Sequence, residues 1–205
     1  MRQPRHTANA LRVRGQLDRW GLSPLILEGI GAFAVAWGLF ESTLECAVWA
    51  LQHEQVNGVH PSTDRSQVGE WIKVLGLGRS DLSIAANEVL AIGSQGAADL
   101  AHYRNSLMHG SLVPLGGAAF FIRNPSWHGE VRKRPVGDAH IDENLLDMAI
   151  DAAWILFRLA QVVSKLPLEQ PDPEPTEALD PEVRRAGSSA SELRHLAALM
   201  NHEKY

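Results

Sequence analysis

Apolar positions recur along this chain every three to four residues, in runs too long for strands, so the pattern predicts helices. The first run opens at Ser23-Pro24, an N-cap residue followed by proline in the first turn. It continues to about His53, with Phe33, Trp37, Phe40, Leu44, Val48 and Leu51 on one face. Gly58 and Pro61 end it. Ser62-Thr63-Asp64 then offers caps for a short helix carrying Val68, Trp71, Ile72 and Leu75, stopping near Gly76 and Gly78 and expected to lie across the first. A long helix opens at Ser80 or Asp81 and runs through Leu82, Ala86, Val89, Leu90, Ala97, Leu100 and Leu107. Gly110 is expected to close it in a left-handed conformation.

The pattern changes between Val113 and Pro135. Ala118 to Ile122 is a short apolar, aromatic run, Asn124-Pro125 is a turn signal, and Glu130 to Arg134 is placed to pair back, which predicts a small, partly exposed hairpin. Asp138 can cap a last large helix, Ile141 to about Leu166, whose near-continuous apolar surface predicts a central position. The expected fold is all-α, an antiparallel helical bundle over residues 23–166 with a β-hairpin insertion at 113–135, after the third helix. A basic segment, residues 1–22, precedes it. An acidic, proline-rich linker at 167–187, expected to be non-helical, follows, and then a short amphipathic helix at 188–205 carrying Leu193, Leu196, Leu199 and Met200.

Composition narrows the function classes. The chain has 205 residues and one cysteine, Cys46, so it is no disulfide scaffold, and it lacks Cys/His spacing for a zinc finger. The basic N-terminus has no apolar stretch of the secretory type, and Glu28, Glu41 and Glu45 interrupt the longest apolar run, so a cytoplasmic protein without a membrane span is expected. The formal charge is −5, yet residues 167–182 alone hold six carboxylates and no Lys or Arg. Residues 183–205 carry a net +2, which leaves residues 1–166 at about −1, so net charge neither attracts nor excludes nucleic acid.

Two charged residues stand where apolar ones belong. At 100° per residue Arg104 falls at the centre of the apolar stripe of the long helix, and Glu41 sits between Trp37 and Leu44 on the first. An arginine there is costly unless paired, so a buried Arg104–Glu41 ion pair is expected. His102, Asn105 and His109 form a polar row on the same helix, about 100–160° around from Arg104. The negative end of the helix favours a protonated imidazole at His109, and histidine exchanges protons near neutral pH. This set suits acid–base chemistry on a phosphodiester with Arg104 as phosphate clamp. By physics alone the residues fit a structural ion pair with surface or C-cap histidines at least as well.

His102-Tyr103-Arg104-Asn105-Ser106-Leu107-Met108-His109-Gly110 contains R-N-x-x-x-H, which resembles the R-x4-6-H signature of the HEPN superfamily, the higher eukaryote and prokaryote nucleotide-binding domains. The layout is similar too: a helical body, a long helix ending in the motif, and another long helix after it, over about residues 20–166. The resemblance implies a metal-independent endoribonuclease without cofactor, often a toxin or an antiphage or stress-defence effector, active as a homodimer with facing motifs. It implies that Arg104 binds the scissile phosphate, that His109 transfers protons as the ribose 2′-OH attacks, and that Asn105 orients either. Glu41 and His102 would support them.

The insertion after the motif carries Arg123, Arg132, Lys133 and Arg134 interleaved with Phe120, Phe121 and Trp127, a composition able to hold RNA by phosphate contacts and stacking, or to pack on the bundle. His195 and His202 lack convergent ligands, so no metal site is expected. Two other readings stand beside the nuclease. One is a non-catalytic module of the same type that binds a nucleotide, RNA or a protein. The other is an interaction protein whose C-terminal tail folds onto a partner such as an antitoxin.

Overall fold

The structure, a computed structural model, describes residues 5–55, 62–115, 118–122, 138–166 and 174–202. It is mostly helical with a small antiparallel sheet. Helix α1 (Arg5–Arg19) occupies the basic segment and is almost wholly exposed. Helix α2 (Pro24–Leu51) starts where the Ser23-Pro24 signal places it, with Ser23 Oγ accepting from the Ile26 N–H at 3.2 Å. By length and composition alone α2 is apolar enough to cross a membrane; its inner face, including Phe33, Phe40 and Leu44, is packed in the core.

A single 3-10 turn (Ser62–Arg65) precedes α3 (Val68–Leu77). The residues that cap α3 are Gln67 and Glu70, in a reciprocal capping box, and not Ser62–Asp64. Thr63 instead fastens the turn to α2: its buried hydroxyl accepts from Trp49 Nε1 at 2.8 Å and donates to Glu45 at 2.6 Å. Helix α4 (Ile84–His109) begins three residues later than expected, capped by Ser83, because Asp81 is engaged with the buried Arg79 at 2.6 Å.

The sheet departs from the expected pairing. Strand β1 (Ser111–Leu115) starts two residues after α4 and pairs with β2 (Ala118–Ile122), whose other edge pairs with β3 (Ala139–Ile141). Ala119–Phe121 is thus paired on both edges, while Glu130–Arg134, the expected partner, lies outside the described residues. Helix α5 (Glu143–Val163) is capped by Asp142, whose carboxylate accepts from the Leu145 N–H at 2.8 Å; Asp138, buried, lies ahead of β3.

The bundle is not purely antiparallel. The sheet returns the chain to the end of the bundle that α4 left, so α4 and α5 run in opposite directions: Gly93 meets Leu159, and Tyr103 meets His140. Helices α2 and α5 are neighbours out of chain order, with Gly29 against Leu146, and run parallel because both oppose α4: Phe33 of α2 meets Tyr103 near the end of α4, and the Ala50 carbonyl accepts from Arg79 just ahead of its start.

The largest difference lies at the C-terminus. After the short α6 (Glu174–Glu177), α7 (Asp180–His202) begins eight residues before the expected start and packs on α4 and α5. Leu179, Val183, Ala186, Ala190 and Leu193 are buried at helical spacing, so the residues expected as a linker are partly core. Pro181 sits in the first turn, where its missing N–H costs nothing. Helix α7 runs parallel to α4 and approaches closely: a Cβ on Gly96 would lie 3.1 Å from the Gly187 Cα. Asp99, nearly buried, is paired with Arg194, and Arg158 with Glu182.

Candidate functional site

The last two turns of α4 hold every residue of the motif. Their rotation is set by Tyr103, which is buried, lies edge-on to Phe33 at 5.9 Å, and donates its hydroxyl proton to the His140 carbonyl at 3.3 Å. Burial, helped by the nearby Asp142 carboxylate, pushes the Tyr103 phenol well above its ordinary value of 10.0, so it stays protonated and donating. Ser106 is buried too, its Oγ donating to the His102 carbonyl at 3.0 Å. Tyr103 and Ser106 turn the buried face of the helix away from Arg104.

Arg104 is therefore not in the core. Its side chain is 28% exposed, that of Glu41 27%, and the closest nitrogen–oxygen distance between them is 3.9 Å. The expected buried ion pair is a loose, half-exposed contact. What Arg104 does hold is the rest of the motif: its Nη1 donates to Asn105 Oδ1 at 3.0 Å and lies 3.5 Å from His109 Nε2. Arginine carries only donors, so Asn105 presents its carbonyl oxygen to it.

His109 is exposed at the helix end. Behind it Gly110 donates its N–H to the Ser106 carbonyl at 2.8 Å with φ −76, not in the left-handed region expected of it. The glycine is required by space: a Cβ there would lie 2.4 Å from the Ser106 oxygen and 3.0 Å from Phe121 Cβ. Strand β1 leaves the helix so abruptly that β2 crosses directly under the cap.

Comparison with models of known protein families, with curated proteins and with solved structures finds no match to this chain. The reading of the site thus rests on its own residues.

Of the residues singled out from the sequence, the fold gathers Arg104, Asn105 and His109 into contact and leaves Glu41 at their edge. His102 is exposed and lines a groove between α3 and α4, together with Lys73 and Asn105, so the expected polar row is split. Arg123, Arg132, Lys133 and Arg134, with Trp127, lie outside the described residues. The two described aromatics of the insertion are engaged by the body: Phe120 stacks on His140 with centroids 4.8 Å apart, and Phe121 packs against the core and Gly110. Sequence reading gave Tyr103 no role; the available signal was an aromatic residue set between His102 and Arg104 at a polar helix end.

Among the described residues no three His, Cys, Asp or Glu side chains converge as a metal site. A wide groove of about 810 Å³ between α4 and α7 contains no motif residue. The buried charge that lines it, Asp99, is already held by Arg194 and by Gln95 Nε2 at 3.1 Å.

Proposed function

We propose that this protein is a metal-independent endoribonuclease of HEPN type, of the kind deployed as a toxin or defence effector. The observation that carries the reading is the contact of Arg104, Asn105 and His109 at a partly exposed helix end, where a phosphate can reach a guanidinium and an imidazole together. Arg104 moves from His109 onto the scissile phosphate, its two-pronged donor face matching two phosphate oxygens. That movement frees the His109 Nε2 lone pair, which takes the proton of the ribose 2′-OH as its oxygen attacks phosphorus. The P–O5′ bond breaks, and an imidazolium returns a proton to the leaving oxygen, giving a 2′,3′-cyclic phosphate and a 5′-hydroxyl.

One imidazole cannot be base and acid on opposite sides of an in-line displacement at once, so two copies of His109, from two chains, are the economical arrangement. Helix α2 offers a surface for this. Its outer positions Gly31, Ala32, Ala34, Val35, Gly38 and Leu39 are all exposed and uncharged, with Val35 64% exposed, and the stretch ends two residues before Glu41 at the edge of the site.

The test is cleavage of total cellular RNA in EDTA by wild type, Arg104→Ala and His109→Ala, each confirmed folded. Wild type alone should cut, leaving cyclic-phosphate ends. Equal cutting by His109→Ala, or a requirement for added metal, would overturn the proposal. Tight RNA binding without cutting would favour the non-catalytic module.

A further inference from the structure

The groove between α3 and α4 is not used by this chemistry, yet it opens onto it. It encloses about 360 Å³, at the lower end of the range for small-molecule sites. We infer that it binds one ribonucleotide of the RNA adjacent to the scissile phosphate, with Lys73 taking that nucleotide's outer phosphate and His102 its base; this rests on the ribonuclease reading of Arg104 and His109.

Three features shape the groove for such a ligand. The helices are pinned at its far end, where Ser94 Oγ donates to the Ile72 carbonyl at 2.7 Å and a Cβ on Gly76 would sit 2.6 Å from that hydroxyl. From there the groove extends along α4 past Ala98 and Ala101 to His102 and Asn105, with Gly69 facing them from α3. Beyond Ile72 and Gln95 its lining is thus the small Gly69, Ala98 and Ala101, which lets a planar base lie close to the helix there, and an imidazole at the rim supplies a stacking face.

Charge and hydrogen bonding fit the same ligand. Lys73 is exposed on the groove wall and makes no ion pair among the described residues, which leaves an ammonium for a phosphate. Asn105 belongs to both sites. Because Arg104 can only donate, the Asn105 atom that meets it is the carbonyl oxygen. The amide NH2 has no partner among the described residues and is the donor available to a base or ribose in the groove. From Asn105 to Ala98 is seven residues of helix, about 10 Å, a span for one nucleotide and its phosphate rather than for a long single strand.

The experiment is a binding titration of the full chain with the four nucleoside 3′-monophosphates and with inorganic phosphate, followed by NMR. It compares wild type, His109→Ala, Lys73→Ala and Ala98→Met, the last filling the groove. At least one nucleotide should bind wild type and His109→Ala with similar affinity, and bind Lys73→Ala and Ala98→Met at least tenfold more weakly; inorganic phosphate should bind far less tightly than the nucleotide. Folded groove variants that bind like wild type would overturn the inference, as would phosphate binding as tightly as nucleotide. RNA cleavage separates the two claims: groove-dependent nucleotide binding without cleavage sinks the nuclease and keeps the groove. Cleavage unaltered in Lys73→Ala and Ala98→Met sinks the groove and keeps the nuclease.

Discussion

Arg104 lies across the last turn of its own helix, with Nη1 3.5 Å from His109 Nε2, while the nearest Glu41 oxygen is 3.9 Å away. The guanidinium is anchored by the Asn105 carbonyl oxygen at 3.0 Å and only loosely shared between the imidazole and the carboxylate. This half-exposed position has an energetic consequence opposite to that of a buried ion pair. Glu41→Gln should change stability by less than about 1 kcal/mol, as for other solvent-screened pairs, and it should leave RNA affinity equal or higher, since it removes an anion that competes with phosphate. Chemical denaturation and a binding titration check both; a loss of several kcal/mol would mean that the pair is structural.

The outer face of α2 gives a second prediction. Val35 is 64% exposed with no side chain behind it to lose, so Val35→Arg should leave the monomer fold within about 0.5 kcal/mol of wild type. If two copies join through this face, the variant should sediment as a monomer and lose cleavage together. An active monomer would place the second proton donor elsewhere.

Much of the helical layout is legible in the sequence because its determinants are local. Ser23 and Pro24 fix the start of α2, and the Phe33, Phe40, Leu44 spacing marks its buried face, all within one helix. The differences fall where a distant contact decides. Arg104 looks like a core residue from its own helix alone, whereas the rotation of α4 depends on Tyr103 reaching Phe33 and His140. The upstream partner of Ala118–Ile122 is hidden because β1, with Pro114 in it, does not look like a strand. The Arg104–Asn105–His109 contact is partly legible, as residue types and spacing point to it while the angular separation overstates their distance: long side chains close it.

Helix α7 is hard to read for a related reason. Its buried positions include Ala186 and Ala190, which carry little hydrophobic signal, and its prolines precede or open the helix without breaking it. Leu193 is 1% exposed, so Leu193→Ala should cost about 2–5 kcal/mol. Removing residues 174–205 should expose the faces of α4 and α5 and lead to aggregation instead of a soluble bundle. Recovery of a folded, monodisperse truncated protein with an unchanged melting curve would refute the assignment of α7 to the core.

Tyr103 predicts alkaline sensitivity. Its phenol is held above its ordinary value by burial first and by Asp142 second, so the folded chain keeps a proton that the unfolded chain releases near pH 10. The stability this contributes is complete below that pH and is lost as pH rises through the folded value. Tyr103→Phe should cost about 1 kcal/mol at pH 7 through the lost hydrogen bond to His140. It should also flatten the fall in stability above pH 10. Denaturation curves at pH 7 and pH 11 distinguish this from a general alkaline effect, which the variant would share.

Gly110 separates two reasons for a glycine at a helix end. At φ −76 any residue is tolerated by the backbone, so conformational freedom is not what selects it. Space is: a Cβ would meet the Ser106 carbonyl oxygen at 2.4 Å, and Phe121 Cβ and backbone carbon at 3.0 and 3.1 Å. Of these contacts the two with backbone cannot be relieved by a rotamer change. Gly110→Ala must therefore push β2 away from the end of α4 or unwind the last turn. A cost of about 1–3 kcal/mol is expected from overpacking of this kind, and the displaced turn is the one that carries His109. Cleavage should fall more than stability does, and Asn, the usual substitute where a left-handed residue is wanted, should be worse than Ala because it is larger. If Gly110→Asn proved the milder of the two in melting and cleavage assays, conformation and not crowding would be the constraint.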